Sequence, residues 1–302
     1  MSGAINYYSN AAPVNAVNVP LQGSIATSVQ TDLNGQFSFP AIGTGNWQIQ
    51  PSKLGDAGAG ISTLDAVYVL QAVAGSRTLT PEQLLACDVT GNGTISTLDA
   101  VRILQLKVGT IAGFEVAQAC GSDWAFIPVP AAAANQLVTA PQMTTGSCQA
   151  GAIAWNPLVS QADNQNFSAV LFGDCTGNWQ PSGGGGAARS RIAAAVNVGH
   201  AQRRGTHLRV PLVVEGARRF FGLDIEVVYD PTRLSFRALR RVGPASPALL
   251  AANERRPGLI NISLASPEPL PVGTLGVLLL EEINDHSDAR PVRVISAEAA
   301  DE

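Results

Sequence analysis

Seven residues, Ile61-Ser-Thr-Leu-Asp-Ala-Val67, recur letter for letter as Ile95-Ser-Thr-Leu-Asp-Ala-Val101, and Leu70-Gln71 recurs as Leu104-Gln105, every position displaced by 34. A fixed period means that one small unit is built twice. Ahead of the second copy, side-chain oxygens fall at positions 1, 3, 5, 9 and 12 of a twelve-residue stretch: Asp88, Thr90, Asn92, Ser96 and Asp99. Position 6 is Gly93, where the chain must turn sharply, and Thr94 at position 7 offers its backbone carbonyl. Hard cations such as Ca²⁺ are held by oxygen cages with this spacing.

The spacing is that of an EF-hand loop, closed by the shorter Asp99 where glutamate is usual. With the helix opened by Ile-Ser-Thr-Leu-Asp-Ala-Val, the pair of loop–helix units resembles a dockerin, a calcium-dependent protein–protein docking module. The first loop is a poorer copy. Aligned on Asp65, its positions 1, 3, 5 and 6 are Leu54, Asp56, Gly58 and Ala59, and only Asp56, Ser62 and Asp65 keep side-chain oxygens. It binds weakly, recruits ligands from elsewhere, or is a structural relic. A third fragment, Asp174-Cys-Thr-Gly-Asn178, repeats the Asp-x-Thr-Gly-Asn of 88–92 and then departs at Trp179. Asp174, Thr176 and Asn178 supply three oxygens to a site completed by another segment, with Asp56 a candidate partner, or they form an Asx-type turn.

The resemblance implies which residues meet a partner. In dockerins, loop positions 10 and 11 contact the receptor; here these are Thr63-Leu64 and Thr97-Leu98. Their identity in both copies gives the helix pair a pseudo-two-fold surface.

Charge marks a boundary. Residues 1–188 hold four basic side chains, Lys53, Arg77, Arg102 and Lys107, whereas the other 15 lie in 189–302 and are all arginine. The switch falls at the glycine-rich stretch 181–188, a linker by composition. The domains expected are a β-sandwich segment at 1–53, the calcium-binding repeats at 54–110, a cysteine-containing β extension at 111–180 packed on the preceding part, the linker 181–188, and a second β-sandwich at 189–302. The fold class is mainly β with a small α insert of EF-hand type. At the start, Thr31-Asp-Leu-Asn-Gly-Gln-Phe-Ser-Phe39 carries an Asn-Gly turn signal and two phenylalanines on one strand face. It resembles the carboxypeptidase-regulatory-like, or prealbumin-like, sandwich, a non-catalytic add-on in its family. Trp124, Phe126, Trp155, Phe167 and Trp179, spread through 111–180, are expected in the core.

In the last segment, Val210-Pro-Leu-Val-Val214, Gly222-Leu-Asp-Ile-Glu-Val-Val-Tyr-Asp-Pro231 and Pro257-Gly-Leu-Ile260 read as strands with turn signals every ten or so residues. They resemble a cohesin, the receptor of dockerins, with Tyr229-Asp230-Pro231 and Leu234 the most specific part. The resemblance implies a protein partner bearing a cohesin or a dockerin, and head-to-tail self-assembly of chains carrying both.

Other classes are set aside. A net charge of −4 gives no reason to expect nucleic-acid binding. No apolar run reaches 18 residues, so no membrane span is expected. The three histidines, His200, His207 and His286, have no metal spacing, and no nucleophile elbow, P-loop or dinucleotide fingerprint occurs. Glu281, Glu282 and Asp285 are read as a solvated loop rather than a glycosidase pair. The chain is therefore not expected to be an enzyme. Arg218, Arg219, Arg240, Arg241, Arg255 and Arg256 offer an acidic partner or polysaccharide a surface, or are solvated. Cys87, Cys120, Cys148 and Cys175 suit two disulfides, with three connectivities open. The expectation is a bacterial secreted or cell-surface scaffold; the alternatives are a calcium-stabilised spacer or adhesin, or a carbohydrate-binding module. No signal peptide precedes Ser2, so a piece of a longer secreted protein is expected.

Overall fold

A computed structural model describes residues 1–181, 192–216, 220–242, 248–270, 272–283 and 292–300. The linker expected at 181–188 lies outside the described residues beyond Pro181, as do Arg218, Arg219, Asp285 and His286.

The chain divides into two compact units of interleaved segments. One comprises Met1–Ile61, Leu79–Ile95 and Gly113–Gly186; the other comprises Ser62–Thr78, Ser96–Ala112 and Ala187–Glu302. The cuts follow the 34-residue period: each repeat is divided immediately before its serine, Ser62 or Ser96. The segment 54–110, expected as a body of its own, is shared between the units in this way.

The first unit is a two-sheet β structure. Its strands are β1 (Ser2–Tyr7), β2 (Asn18–Gly23), β3 (Thr27–Gln30), β4 (Gln36–Ser38), β5 (Gly45–Ile49), β6 (Trp124–Pro128), β7 (Gln136–Thr139), β8 (Gln142–Thr144), β9 (Ser147–Gln149), β10 (Ala152–Leu158) and β11 (Phe167–Leu171). One sheet runs β4-β1-β11-β6 and the other β3-β2-β5-β10-β7, with β8-β9 a separate hairpin. Strands before and after the repeats thus share both sheets: β1 pairs in parallel with β11, Ile5 opposite Phe167, and β5 pairs with β10, Trp47 opposite Trp155. The residues 1–53 do not close a sandwich alone. Their core is completed by Trp124, Phe126, Ile153, Trp155, Phe167 and Trp179, so the late aromatics are core, as their sequence context implied. The Asn34-Gly35 turn forms on the Asp32 carboxylate, which accepts the N–H groups of Asn34 and Gln36. The strands on either side of it enter different sheets.

Between β5 and β6 stand the helices α1 (Ala57–Gly60), α2 (Thr63–Val73), α3 (Pro81–Cys87), α4 (Thr97–Val108) and α5 (Glu115–Cys120). Thr80 caps α3, with Pro81 in its first turn, as the sequence signals predict. The cysteines pair Cys87–Cys175 and Cys120–Cys148, each with Cα atoms 5.1 Å apart.

The second unit holds a two-sheet β-sandwich with α2 and α4. Its strands are β12 (Ile192–Ala193), β13 (Ala195–Val198), β14 (Gln202–Arg204), β15 (His207–Glu215), β16 (Gly222–Tyr229), β17 (Leu234–Arg241), β18 (Leu249–Arg256), β19 (Leu259–Ala265), β20 (Gly273–Glu282) and β21 (Val292–Ala300). One sheet is β12-β21-β16-β19-β18; the other is β13-β15-β20-β17, with β14 on β15. Alternation decides the faces. Leu223, Ile225, Val227 and Tyr229 of β16 and Ile260, Ile262 and Leu264 of β19 are buried in the sandwich core. Asp224 and Ser263, paired in register, therefore point to the other face. Arg240 and Arg241 lie on β17, and Arg255 and Arg256 on β18. The arginines expected as one surface thus belong to two different sheets.

Candidate functional site: a helix pair seated on a sheet

In the second unit α2 lies against β16 and β19, and α4 lies against β18 and β19. The helices cover the outward face of that sheet, where Ser263 is 3% exposed and Ala265 fully buried. Local sequence fixes where each helix starts. Asp65 Oδ2 accepts the backbone N–H of Ser62 at 2.6 Å and its hydroxyl at 2.9 Å. Asp99 Oδ2 does the same for Ser96 at 2.9 and 3.0 Å. This reciprocal cap satisfies donors that a helix N-terminus otherwise leaves open.

Asp224 is the polar centre of the seat. Its Oδ1 accepts the Thr63 hydroxyl at 2.5 Å and also the Ser263 hydroxyl. Its Oδ2 lies 4.0 Å from Lys107 Nζ. Thr63 opens α2 and Lys107 stands in the last turn of α4, so the two helices run antiparallel where they meet the carboxylate. At the same end of α4, Asn253 Nδ2 donates to the Val108 carbonyl at 3.2 Å. A carbonyl that the helix leaves unpaired is thereby satisfied by the sheet.

The four residues singled out for partner contact part company. Thr63 is fully buried and Leu64 half-buried, whereas Thr97 is exposed and Leu98 is 46% exposed. Sequence reasoning missed Asp224, Ser263, Asn253 and Lys107. The one available signal was a carboxylate at an outward strand position, in a run whose other outward residues are uncharged or acidic.

The oxygen-bearing loop ahead of α4 is described in two parts. In the first unit, Asp88 is 5% exposed. Its Oδ1 accepts the Thr90 hydroxyl at 3.2 Å and the Asn92 N–H at 3.1 Å, and its Oδ2 accepts the Gly93 N–H at 2.7 Å. Gly93 has φ +82°, a left-handed turn that favours glycine. Asn92 Oδ1 accepts the N–H and hydroxyl of Thr94. In the second unit, Ser96 and the fully buried Asp99 form the helix cap. Within the first unit, oxygen donors around the buried Asp88 carboxylate and a left-handed glycine at position 6 suit a calcium ion.

The first loop departs from that pattern. Asp56 adopts φ +72° and heads the short α1, and its Oδ2 lies 3.1 Å from Lys53 Nζ. An ammonium thus takes the carboxylate expected as a ligand. Leu54, at position 1, is 73% exposed, and the Gly55 N–H bonds Asp123 Oδ2 at 2.6 Å. Ser62 and Asp65 serve the cap of α2. Asp174 reproduces the Asp88 cradle: Oδ1 accepts the Thr176 hydroxyl and the Asn178 N–H, and Oδ2 accepts the Trp179 N–H. The Tyr7 hydroxyl adds a further bond at 2.8 Å. Asp174 is fully buried, and the fragment forms an Asx-type turn of the same kind as that at Asp88; Asp56 is engaged by Lys53. The disulfide between Cys87 and Cys175 joins the two like turns at their aspartates.

Tyr229-Asp230-Pro231 ends β16. The Tyr229 hydroxyl donates to Glu254 and accepts the Phe236 N–H. Burial first, and then the Glu254 carboxylate, hold this phenol above the usual tyrosine range. Asp230 accepts the Thr232 hydroxyl and N–H, which hold its carboxyl below the usual range. Among the described residues, no cluster of three or more histidine, cysteine or acidic side chains is arranged to hold a metal. Among the described residues, no helix is long and apolar enough to cross a membrane.

No protein-family model matches the chain, and no curated protein does. Among solved structures, similarity is found to cohesin modules. One belongs to a family 33 glycoside hydrolase of Clostridium perfringens: 14% identity, TM-score 0.27, covering 31% of this chain and 72% of that one. Another is the sixth cohesin of Acetivibrio cellulolyticus scaffoldin B, in complex with a Cel5 dockerin variant: 13% identity, TM-score 0.27, covering 34% and 80%. A third is a non-cellulosomal cohesin of the archaeon Archaeoglobus fulgidus: 13% identity, TM-score 0.27, covering 35% and 79%. These are likenesses to part of the chain; the sandwich itself is established by its own strand pairing and core.

Proposed function

We propose that this chain is a non-catalytic, calcium-binding interaction protein of the cell exterior, in which a cohesin-like sandwich receives a dockerin-like helix pair. The observation that carries this reading is the seat on Asp224, where one carboxylate of the sheet takes the Thr63 hydroxyl from α2 and faces the Lys107 ammonium of α4. In this chain the receiving face is covered by the chain's own helices. An outside partner then competes with a seat already filled, and assembly proceeds only when helices are exchanged. Calcium belongs at 88–99, held by Asp88, Thr90, Asn92, Thr94, Ser96 and Asp99. The ion steadies the loop that delivers α4, since binding and ordering share one free energy. Two disulfides with no free cysteine support an oxidising compartment.

Hydrogen exchange on the whole chain tests this. Calcium should slow exchange of the α2 and α4 amides, and Asp224→Lys, which faces Lys107 with like charge, should speed it while the sandwich core stays protected. Identical exchange in the helices with and without either change would end the proposal. The same covered face favours a second reading, a calcium-stabilised spacer or adhesin with no outside partner. An added excess of the same chain carrying an affinity tag separates the two: helix exchange yields tagged mixed oligomers, and a pure spacer yields none.

A further inference from the structure

The sandwich of the second unit is polarised in charge. The strands of the sheet β12-β21-β16-β19-β18 carry four acidic side chains, Asp224, Glu226, Glu254 and Glu298, and three arginines. The strands of the other sheet, β13, β14, β15, β17 and β20, carry six arginines and three glutamates. Two of those glutamates are committed, Glu281 to Arg237 and Glu282 to Arg203. Arg204, Arg209 and Arg240 are exposed and, among the described residues, make no ion pair. Register puts these three on one face. Leu208 and Val210 point into the core, so Arg209 between them points out. Rows across that face read Arg204-His207-Glu281, then Gln202-Arg209-Leu279-Ala238, then Pro211-Val277-Arg240, each displaced by two residues. The arginines therefore run diagonally from β14 to β17, over roughly 20 Å by strand spacing and rise. Among them lie the half-buried Leu279, Ala238 and Pro211 and the exposed amide of Gln202.

We propose that this face binds an extended acidic polysaccharide, a uronate-bearing polymer whose spaced carboxylates pair with Arg204, Arg209 and Arg240. Guanidinium forks match carboxylates in plane and in number of donors. The Gln202 amide suits sugar hydroxyls, and the apolar ground between the arginines suits the CH faces of sugar rings. An acidic peptide is served less well. β15 and β20 have neighbours on both sides, so an added strand finds no free backbone edge there. The chain as a whole carries a net charge of −4, which repels a polyanion, so attraction must come from a local patch. α2 and α4 lie against the other sheet; polymer and helices therefore do not compete for one surface.

Hyaluronan, a soluble polymer with one uronate in every disaccharide, is the probe. Immobilised on a biosensor, it should retain the whole chain at low salt and release it at high salt, and neutral hydroxyethylcellulose should retain none. Arg209→Gln should weaken binding about two- to fivefold, and Arg209→Gln/Arg240→Gln about tenfold. Both sites are exposed, so the melting temperature should hold. Arg256→Gln/Arg293→Gln removes the same charge from β18 and β21 of the other sheet and should bind as the wild type does. Equal losses in the two double variants would show that charge anywhere on the sandwich attracts the polymer, and the proposal would fall. Retention on poly-L-glutamate or on phosphatidylglycerol vesicles, with none on hyaluronan, would overturn it in favour of an acidic protein or a membrane. A wild-type chain that hyaluronan does not retain at low salt would end it outright.

Discussion

The two repeats carry the same seven letters and have different fates. In each, an aspartate three residues into the helix caps the serine before it, and both helices follow from that cap. Yet Thr63 is buried on the sheet and Thr97 is exposed. Ahead of the helices the contrast reverses. The second loop gathers buried oxygens around Asp88, whereas the first gives its one early carboxylate to Lys53. One copy supplies the contact and the other gathers the oxygen donors around Asp88. Identity of sequence at the helix start sets local structure, and what lies opposite decides use.

The largest effect expected is at the loops. Asp88→Ala removes a proposed calcium ligand and strips an acceptor from two N–H groups and a hydroxyl, for a loss of about 3 kcal/mol or more in calcium. Its counterpart, Leu54→Ala, acts at a residue 73% exposed and should stay within about 0.5 kcal/mol. Titration calorimetry should show one site in the wild type, one in Leu54→Ala and none in Asp88→Ala. Chelation should lower the melting temperature of the first two only. Equal calcium heats in Asp88→Ala and wild type would break the contrast.

Next comes the seat. Thr63→Ala leaves Asp224 without a charge-assisted bond, worth about 2 kcal/mol, while Thr97→Ala should cost under about 0.5 kcal/mol. Urea unfolding in calcium measures both. Thr63→Ser, which keeps the hydroxyl, should recover most of the loss. Equal losses at 63 and 97 would mean that the Thr63 bond to Asp224 contributes nothing and would break the contrast between the copies.

The sequence made legible what is local. The Ser-x-x-Asp caps, Thr80-Pro81 at the start of α3, and the alternation along β15, β16 and β19 were read directly from residue order. What escaped was non-local. That β1 lies beside β11 depends on a pairing across some 160 residues, Ile5 opposite Phe167, and no periodicity in either strand names its neighbour. Thr63 was singled out for partner contact, but its partner Asp224 is 161 residues away in the same chain. Cysteine counting fixed two disulfides and left three connectivities. Which pairs form was decided by the fold, which brings together two like Asp-x-Thr-Gly-Asn turns.

The finest comparison is at the caps. In chelator, Ser62→Ala and Ser96→Ala should cost about the same, roughly 1 kcal/mol each, the ordinary value of an N-cap. Both serines donate to the aspartate that bonds them in return, at nearly the same backbone angles, φ −137° and −142°. Calcium should separate them. Ser96 is also position 9 of the competent loop, so its loss should cost a further few tenths to 1 kcal/mol when the ion is bound, while the cost at Ser62 should not change. Parallel urea titrations with calcium and with chelator resolve a difference of that size if the m-values agree. A calcium-dependent penalty at both serines would show that the first loop binds an ion despite Lys53. No such penalty at either would show that the cap, and not the ion, is what Ser96 serves.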